Sequence, residues 1–254
     1  MSKSKSYPMK RINTGIFLLV ISISILSFTF AKSVAKNTNF KELVSHNKIA
    51  SSKLNKTAEN VLYNKLSLSA KGLPESVFIL AYHGFEKLNS IGKLNADSIL
   101  TIIDYSKSSR EKRMFVVDLK SQTILFHTVV AHGRNSGEEF AKEFSNNMNS
   151  HQTSLGFYIT GSTYAGSNGY SLQLKGIESG INDRALARAI VIHGAAYANE
   201  STIYTRGYLG RSYGCPALPQ KMSAKIIDKI KGGSLLFAYY PDNKYLKKSE
   251  IING

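Results

Sequence analysis

From residue 99 onward the chain alternates short apolar runs with polar breaks. Residues 99–104 (ILTIID), 114–118 (MFVVD) and 123–131 (TILFHTVVA) are rich in β-branched and aromatic types, which predicts strands. Lys120, Ser121 and Gln122 predict a tight turn between the last two. Shorter runs at 157–160, 171–175 and 189–193 predict three more strands, with Ser162, Gly166, Gly169, Gly176 and Gly180 as punctuation. Asn182 and Asp183 stand where they would cap a short Ala-rich helix over 184–188. Past residue 218 the period changes. Met222, Ile226, Ile227 and Ile230 recur at helical spacing over 219–230, Gly232 and Gly233 end that helix, and 234–240 reads as a final strand.

Upstream the pattern is helical. Val61, Leu62 and Leu66 place a helix over 58–68, stopped by Lys71 and Gly72. Pro74 then sits in the first turn of a second helix, where its missing N–H is harmless. That helix aligns Val77, Leu80, Ala81 and Leu88 on one face, with Phe78 and Phe85 alongside, and ends at Ile91 and Gly92. Residues 36–55 are rich in Asn, Lys and Ser and read as a linker. Before them, Lys3, Lys5, Lys10 and Arg11 precede an apolar stretch over 15–30, followed by the small residues Ser33 and Ala35. This is the layout of a signal peptide, with an uncleaved membrane anchor as the alternative. The expected organisation is a signal peptide (1–35), a linker (36–55), a helical preface (56–97), a catalytic domain (98–242) and a C-terminal tail (243–254). The expected fold class is mainly β within α+β.

Composition adds export chemistry. The net charge is +16, and residues 1–35 hold five of the cations (the fifth is Lys32) and no acid, leaving +11 beyond them. Such a surface favours anionic partners, including cell-wall polymer. The cations are scattered without interleaved aromatic residues, so no nucleic-acid partner is expected. No metal-ligand spacing and no phosphate loop is present, so no metal and no cofactor is expected. The membrane is expected to be touched only through the leader. The chain has one cysteine, Cys215. An unpaired thiol in an oxidising compartment calls for burial, pairing or chemistry.

Two segments supply the chemistry. One is an apolar strand, 190–192, ending in His193 and Gly194. The other is a Gly-bounded loop, Gly210-Arg211-Ser212-Tyr213-Gly214-Cys215-Pro216. A thiol needs a base to become a nucleophile at neutral pH, and an imidazole held through its other nitrogen is such a base. The imidazole would hold the thiolate as an ion pair. Gly214 permits close backbone approach to a substrate, and N–H groups at this turn would receive an oxyanion. His132, at the start of a Gly-rich loop, is expected to line the site or make a structural hydrogen bond. His127, five residues earlier, points to the other face of its strand, against a shared metal. His46, His83 and His151 have no partner that spacing reveals.

His193-Gly194 followed by Ser212-Tyr213-Gly214-Cys215-Pro216 resembles the signature of the murein L,D-transpeptidase catalytic domain family, in the branch with Tyr or Trp before Gly-Cys-Pro. Residues 130–137 (VAHGRNSG), 144–146 (FSN), 154–156 (SLG) and 171–174 (SLQL) extend the likeness to about residues 60–240. The resemblance implies a β-sandwich-like catalytic domain acting on peptidoglycan stem peptides in the periplasm or cell envelope of a bacterium. It implies Cys215 as the acylated nucleophile, His193 as base, the Gly194 carbonyl as the group orienting it, and Gly214 and Cys215 where the oxyanion donors are expected. It implies release of D-Ala, an amine acceptor or water, and carbapenem sensitivity. The chain has Tyr213 where the family usually has His, and Pro216-Ala217-Leu218 where an Asn or Arg is usual. Carboxylate binding then falls to Arg211 and Arg134, with Ser212, Tyr213 and His132 as further substrate contacts. The alternatives are another thiol peptidase of the wall, such as an L,D-carboxypeptidase, or a non-catalytic wall-binding protein.

Overall fold

The computed structural model describes residues 57–96 and 98–254. The expected signal peptide and linker, and His46, lie outside the described residues. Two helices come first, α1 (Ala58–Lys65) and α2 (Glu75–Ser90), with Pro74 as the N-cap of α2. Eight strands follow: β1 (Ile99–Asp104), β2 (Met114–Asp118), β3 (Thr123–Thr128), β4 (Gly156–Gly166), β5 (Gly169–Gly176), β6 (Val191–Ala195), β7 (Ala217–Pro219) and β8 (Leu235–Tyr239). Helix α3 (Glu200–Arg206) lies between β6 and β7, and α4 (Gln220–Ile230) between β7 and β8. Two short helices, α5 (Asn243–Lys248) and α6 (Glu250–Asn253), close the chain. Among the described residues no helix is long and apolar enough to cross a membrane.

The strands form one mixed sheet in the order β3-β2-β1-β8-β4-β5-β6-β7. The β1–β8 and β6–β7 pairs are parallel and the others antiparallel. The central strands are buried on both faces, which explains their nearly continuous apolar sequences. Leu100 and Ile102 of β1, Phe115 and Val117 of β2, and Leu235 and Phe237 of β8 point to one core. Ile103, Met114, Val116 and Leu236 point to the other.

Helices α1 and α2 fill the first core through Leu62, Leu66, Phe78 and Phe85. They are thus part of the domain's own interior. In the second core Leu172 and Leu174 of β5, Ile192 of β6, and Ile226, Ile227 and Ile230 of α4 meet the back of β1, β2 and β8. The β5–β6 half of the sheet therefore folds over the other half, which is how one continuous sheet makes a sandwich-like core. Past β3 the chain leaves the ladder and touches β7, through bridges Ala131↔Ala217 and Gly133↔Ser212. The two ends of the sheet meet there, at the rim that carries Cys215. Fully buried Arg113 pins this seam by donating to the carbonyls of Val130 (2.9 Å) and Lys107 (2.8 Å).

Three elements differ from expectation. Residues 184–188 form turns instead of a helix. Asn182 is not free to cap them, because its side chain donates to the carbonyls of Leu155 (3.0 Å) and Phe157 (2.9 Å) and accepts from the Glu178 N–H (3.0 Å). The polar residues 161–166 continue β4 into a long hairpin with β5, closed by Ser167 and Asn168. Residues 243–254 are packed instead of trailing. Tyr245 is buried, and its hydroxyl and that of Ser249 both donate to the buried Glu178 carboxylate, which also accepts the Phe157 N–H at 2.7 Å.

Candidate active site

The parallel register of β6 and β7 sets the central pair. His193 lies opposite Ala217, so position 215 falls opposite Val191, two residues along β6 from His193 and on the same face by the period of a strand. His193 and Cys215 are both largely buried, and both reach the wall of an open cleft of about 460 Å³. The other walls come from the segment between them, with Tyr197, Arg206, Arg211, Ser212 and Tyr213, and from Arg134 and Asn168. Asn168 is at the tip of the β4–β5 hairpin, which overhangs the cleft.

Among the described residues the hydrogen-bond partners of the sulfur are main-chain groups. The Val191 N–H donates to Sγ at 3.5 Å, and the thiol donates to the Ala189 carbonyl at 3.7 Å. His193 Nδ1 lies 3.1 Å from the Gly194 carbonyl. A carbonyl only accepts, so Nδ1 carries the proton and Nε2 keeps its lone pair, the tautomer a base requires. Burial pushes the Cys215 thiol up, while the Val191 N–H and the Arg188 guanidinium pull it down. Burial pushes His193 below 6.5, against the Gly194 hydrogen bond. Both groups are therefore neutral at neutral pH. Both shifts favour the uncharged forms over the ion pair expected from sequence, with the thiol and the imidazole lining the same cleft.

The turn before Cys215 is locked from within. Ser212 Oγ accepts the Gly214 N–H at 3.0 Å and donates to the Cys215 carbonyl at 2.6 Å. Thr153 Oγ1 donates to the Gly214 carbonyl at 3.3 Å and accepts the Gly133 N–H at 3.0 Å. The Ser212 hydroxyl is thus committed to the turn, not to a ligand. The Gly214 N–H is spent within the turn, whereas the Cys215 N–H, the other donor expected in the oxyanion region, has no partner in another residue among the described ones. Gly214 has φ +122, and a Cβ on it would lie 2.8 Å from the Gln152 carbonyl oxygen. Only glycine fits this approach.

Arg188, which sequence reading treated as a helix residue, belongs to this site. Its guanidinium donates to the carbonyls of Ser145 (2.8 Å) and Gln152 (2.6 Å) and to the hydroxyls of Ser150 (3.1 Å) and Ser154. It thereby ties the 145–154 loop beneath Gly214. Tyr213 is exposed, with the Arg134 guanidinium 5.7 Å from its ring centroid and the His151 ring 4.6 Å away. Arg211 pairs with the exposed Glu138, which also accepts from the Tyr208 hydroxyl. Tyr197, unread in the sequence, is pushed up to about 12 by burial and by the nearby Cys215.

His132 is a correction. It is 1% exposed and does not line the cleft. Arg113 donates to its Nδ1 at 2.8 Å, so Nε2 carries the proton and donates to the Gly137 carbonyl at 3.2 Å. Burial and the Arg113 charge hold it down to about 3. It is a seam residue, not a substrate contact. His127 Nε2 contacts the Lys112 carbonyl at 3.0 Å, and its ring stacks on Phe115. His83 contacts Glu59. Among the described residues no three His, Cys, Asp or Glu side chains gather as a metal site.

Comparison with solved structures finds distant likenesses. The L,D-transpeptidase LdtMt1 in complex with imipenem is 14% identical, with a TM-score of 0.35 over 56% of this chain and 59% of that one. An L,D-transpeptidase from Mycobacterium smegmatis is 13% identical, with a TM-score of 0.35 over 56% of this chain and 59% of that one. The helical cell shape determining protein Pgp2 from Campylobacter jejuni is 15% identical, with a TM-score of 0.36 over 67% and 62%. The chain thus spans about 60% of the length of these proteins. Comparison with curated proteins gives no match. The model of the L,D-transpeptidase catalytic domain, in contrast, matches residues 69–239, from just before α2 to the end of β8, and the chain belongs to that family.

Proposed function

We propose that this protein is an exported, cysteine-dependent L,D-transpeptidase of the cell envelope that acts on peptidoglycan stem peptides. The observation that supports it is the opening of Cys215 and His193 onto one cleft, with the Nε2 lone pair of His193 unspent. A donor stem enters with the carbonyl of its third residue at Sγ. Nε2 takes the thiol proton as sulfur attacks. The Cys215 N–H receives the oxyanion. The tetrahedral intermediate collapses, the C–N bond to terminal D-Ala breaks, and imidazolium returns the proton to the leaving amine. An amine of a second stem attacks the thioester, His193 again takes the proton, and the thiol is restored. Arg134, on the cleft wall, holds a donor carboxylate, while Arg211 on the same wall is engaged by Glu138. One imidazole, that of His193, serves both half-reactions.

The test is mass spectrometry of muropeptides after incubation of tetrapeptide stems with the full chain and with Cys215→Ala. D-Ala release and new cross-links are expected with the former only. Release without cross-links identifies water as acceptor and an L,D-carboxypeptidase. Unchanged tetrapeptide removes the proposal. Covalent labelling of Cys215 by a carbapenem, read by intact mass, is the expected companion result.

A further inference from the structure

The cleft wall holds three guanidiniums, from Arg134, Arg206 and Arg211, and no described acidic residue. Three like charges therefore converge on one cleft. Arg211 has Glu138 as a partner. The other two have none among the described residues. Arg134 stands against Tyr213 and Arg206 against Tyr208, at 5.7 and 5.9 Å from the ring centroids. An aromatic face orients a guanidinium without neutralising it, leaving its N–H fork free. Like charges gathered in a concave wall raise the local concentration of anions. They come from separate elements, a single turn of 3₁₀ helix over Arg134–Ser136 and the C-terminal turn of α3. Two independent anchors therefore line the cleft onto which Cys215 opens.

We infer that the cleft selects peptides with at least two free carboxylates beside the scissile carbonyl, one held by Arg134 and the other by Arg206. This deepens the stem-peptide reading and rests on it. The substrate class is the unamidated stem, whose terminal and side-chain carboxylates are both ionised. An amide at either position offers a neutral oxygen and a competing N–H donor to a guanidinium, which can only donate. Helix α3 has no buried residue, so Arg206 has no role in the core.

The test uses full-chain Cys215→Ala, so that binding is read without turnover. Four tetrapeptides are titrated by calorimetry: both carboxylates free, the terminal one amidated, the side-chain one amidated, and both amidated. Each amidation is expected to weaken binding roughly tenfold, the range of one charge-assisted hydrogen-bonded contact. Arg134→Gln and Arg206→Gln are each expected to weaken the free peptide similarly and to become indifferent to one amidation, a different one in each variant. Equal affinity for the free and doubly amidated peptides overturns the inference, as does an unchanged amidation penalty in both variants. Turnover of amidated stems at the wild-type rate sinks it while leaving the transpeptidase reading intact. Selective binding without turnover in the Cys215 protein does the reverse.

Discussion

The main-chain N–H of Val191 points at Cys215 Sγ from 3.5 Å, so β6 holds both His193 and a donor to the sulfur. The adjacent residues complete the cradle. Ala189, at φ +54, turns its carbonyl to the thiol, and Arg188 brings a positive charge up to Gly214. A non-glycine residue held in the left-handed region signals local strain, and here it sits against the Cys215 thiol.

This geometry makes Arg188 a positioning residue with an electrostatic signature. Burial raises the thiol above 9.0, and the Arg188 charge is among the groups that oppose the rise. His193, Tyr105 and Tyr197 are the other titratable groups near it, and none of them carries a positive charge at neutral pH. Arg188→Gln is expected to move the pH midpoint of Cys215 alkylation upward and to slow alkylation at pH 7.5 several-fold. Arg188→Lys, which keeps the charge and loses the fork, should recover most of the midpoint but not the order of the 145–154 loop. Iodoacetamide rates across pH measure the first effect and hydrogen exchange in that loop the second. Identical alkylation profiles in all three proteins would show that the charge is irrelevant to the sulfur.

The neutral resting pair sets the pH profile. With His193 lowered below 6.5, the base stays unprotonated at that pH and is lost only in more acidic solution. The acid limb of kcat/KM should therefore fall below pH 6.5. His193→Gln should reduce kcat by roughly 10²–10⁴, the usual worth of a positioned base, with KM little changed. An acid limb centred above 6.5 would instead indicate a preformed ion pair.

How much of this was readable depends on where each interaction lies along the chain. The β1, β2 and β8 strands are legible because burial on both faces leaves runs such as MFVVD almost wholly apolar. Cys215 and His193 are legible because reactive residue types stand beside glycines at element ends. His132 misleads for a physical reason. Its Gly-rich successor suggests a rim, while the group that fixes it, Arg113, is 19 positions away and leaves no local trace. Arg188 is hidden in the same way, since its partners lie 34 to 43 positions earlier. Helix α3 has no apolar stripe because Ile203 is its one hydrophobic packed, and only partly, against the core, so periodicity is silent over the segment that walls the cleft.

Burial of His132 against the Arg113 charge makes stability pH-dependent. His132 is held at about 3 in the fold and near 6.5 when unfolded. Between these values the unfolded chain binds the extra proton, so stability rises with pH and is lost as pH falls through the window. The slope for this one group is about 1.4 kcal/mol per pH unit. His127 and His193, also lowered, add to it just below 6.5. His132→Gln, which can accept from Arg113 and donate to Gly137 without titrating, should flatten the slope between pH 4 and 6. Urea midpoints at several pH values measure it. An unchanged slope would place the acid sensitivity elsewhere.

The contact between α2 and the sheet yields the last prediction, because two rules oppose each other at Gly84. Alanine inside a helix is favoured over glycine by about 1 kcal/mol. A Cβ at Gly84, however, would stand 2.4 Å from the Phe157 ring. That ring has no room to retreat, being fully buried and stacked on Phe237 with centroids 4.2 Å apart. Overpacking of this kind costs about 1–3 kcal/mol. The steric term should win, so Gly84→Ala is expected to lower the melting temperature by roughly 2–8 °C. Phe157→Leu removes part of the obstructing ring at its own cost in cavity. The double variant should therefore be less destabilised than the sum of the two single ones, a coupling that neighbours in contact show. A melting temperature raised by Gly84→Ala alone would mean that the ring yields and that propensity governs this position.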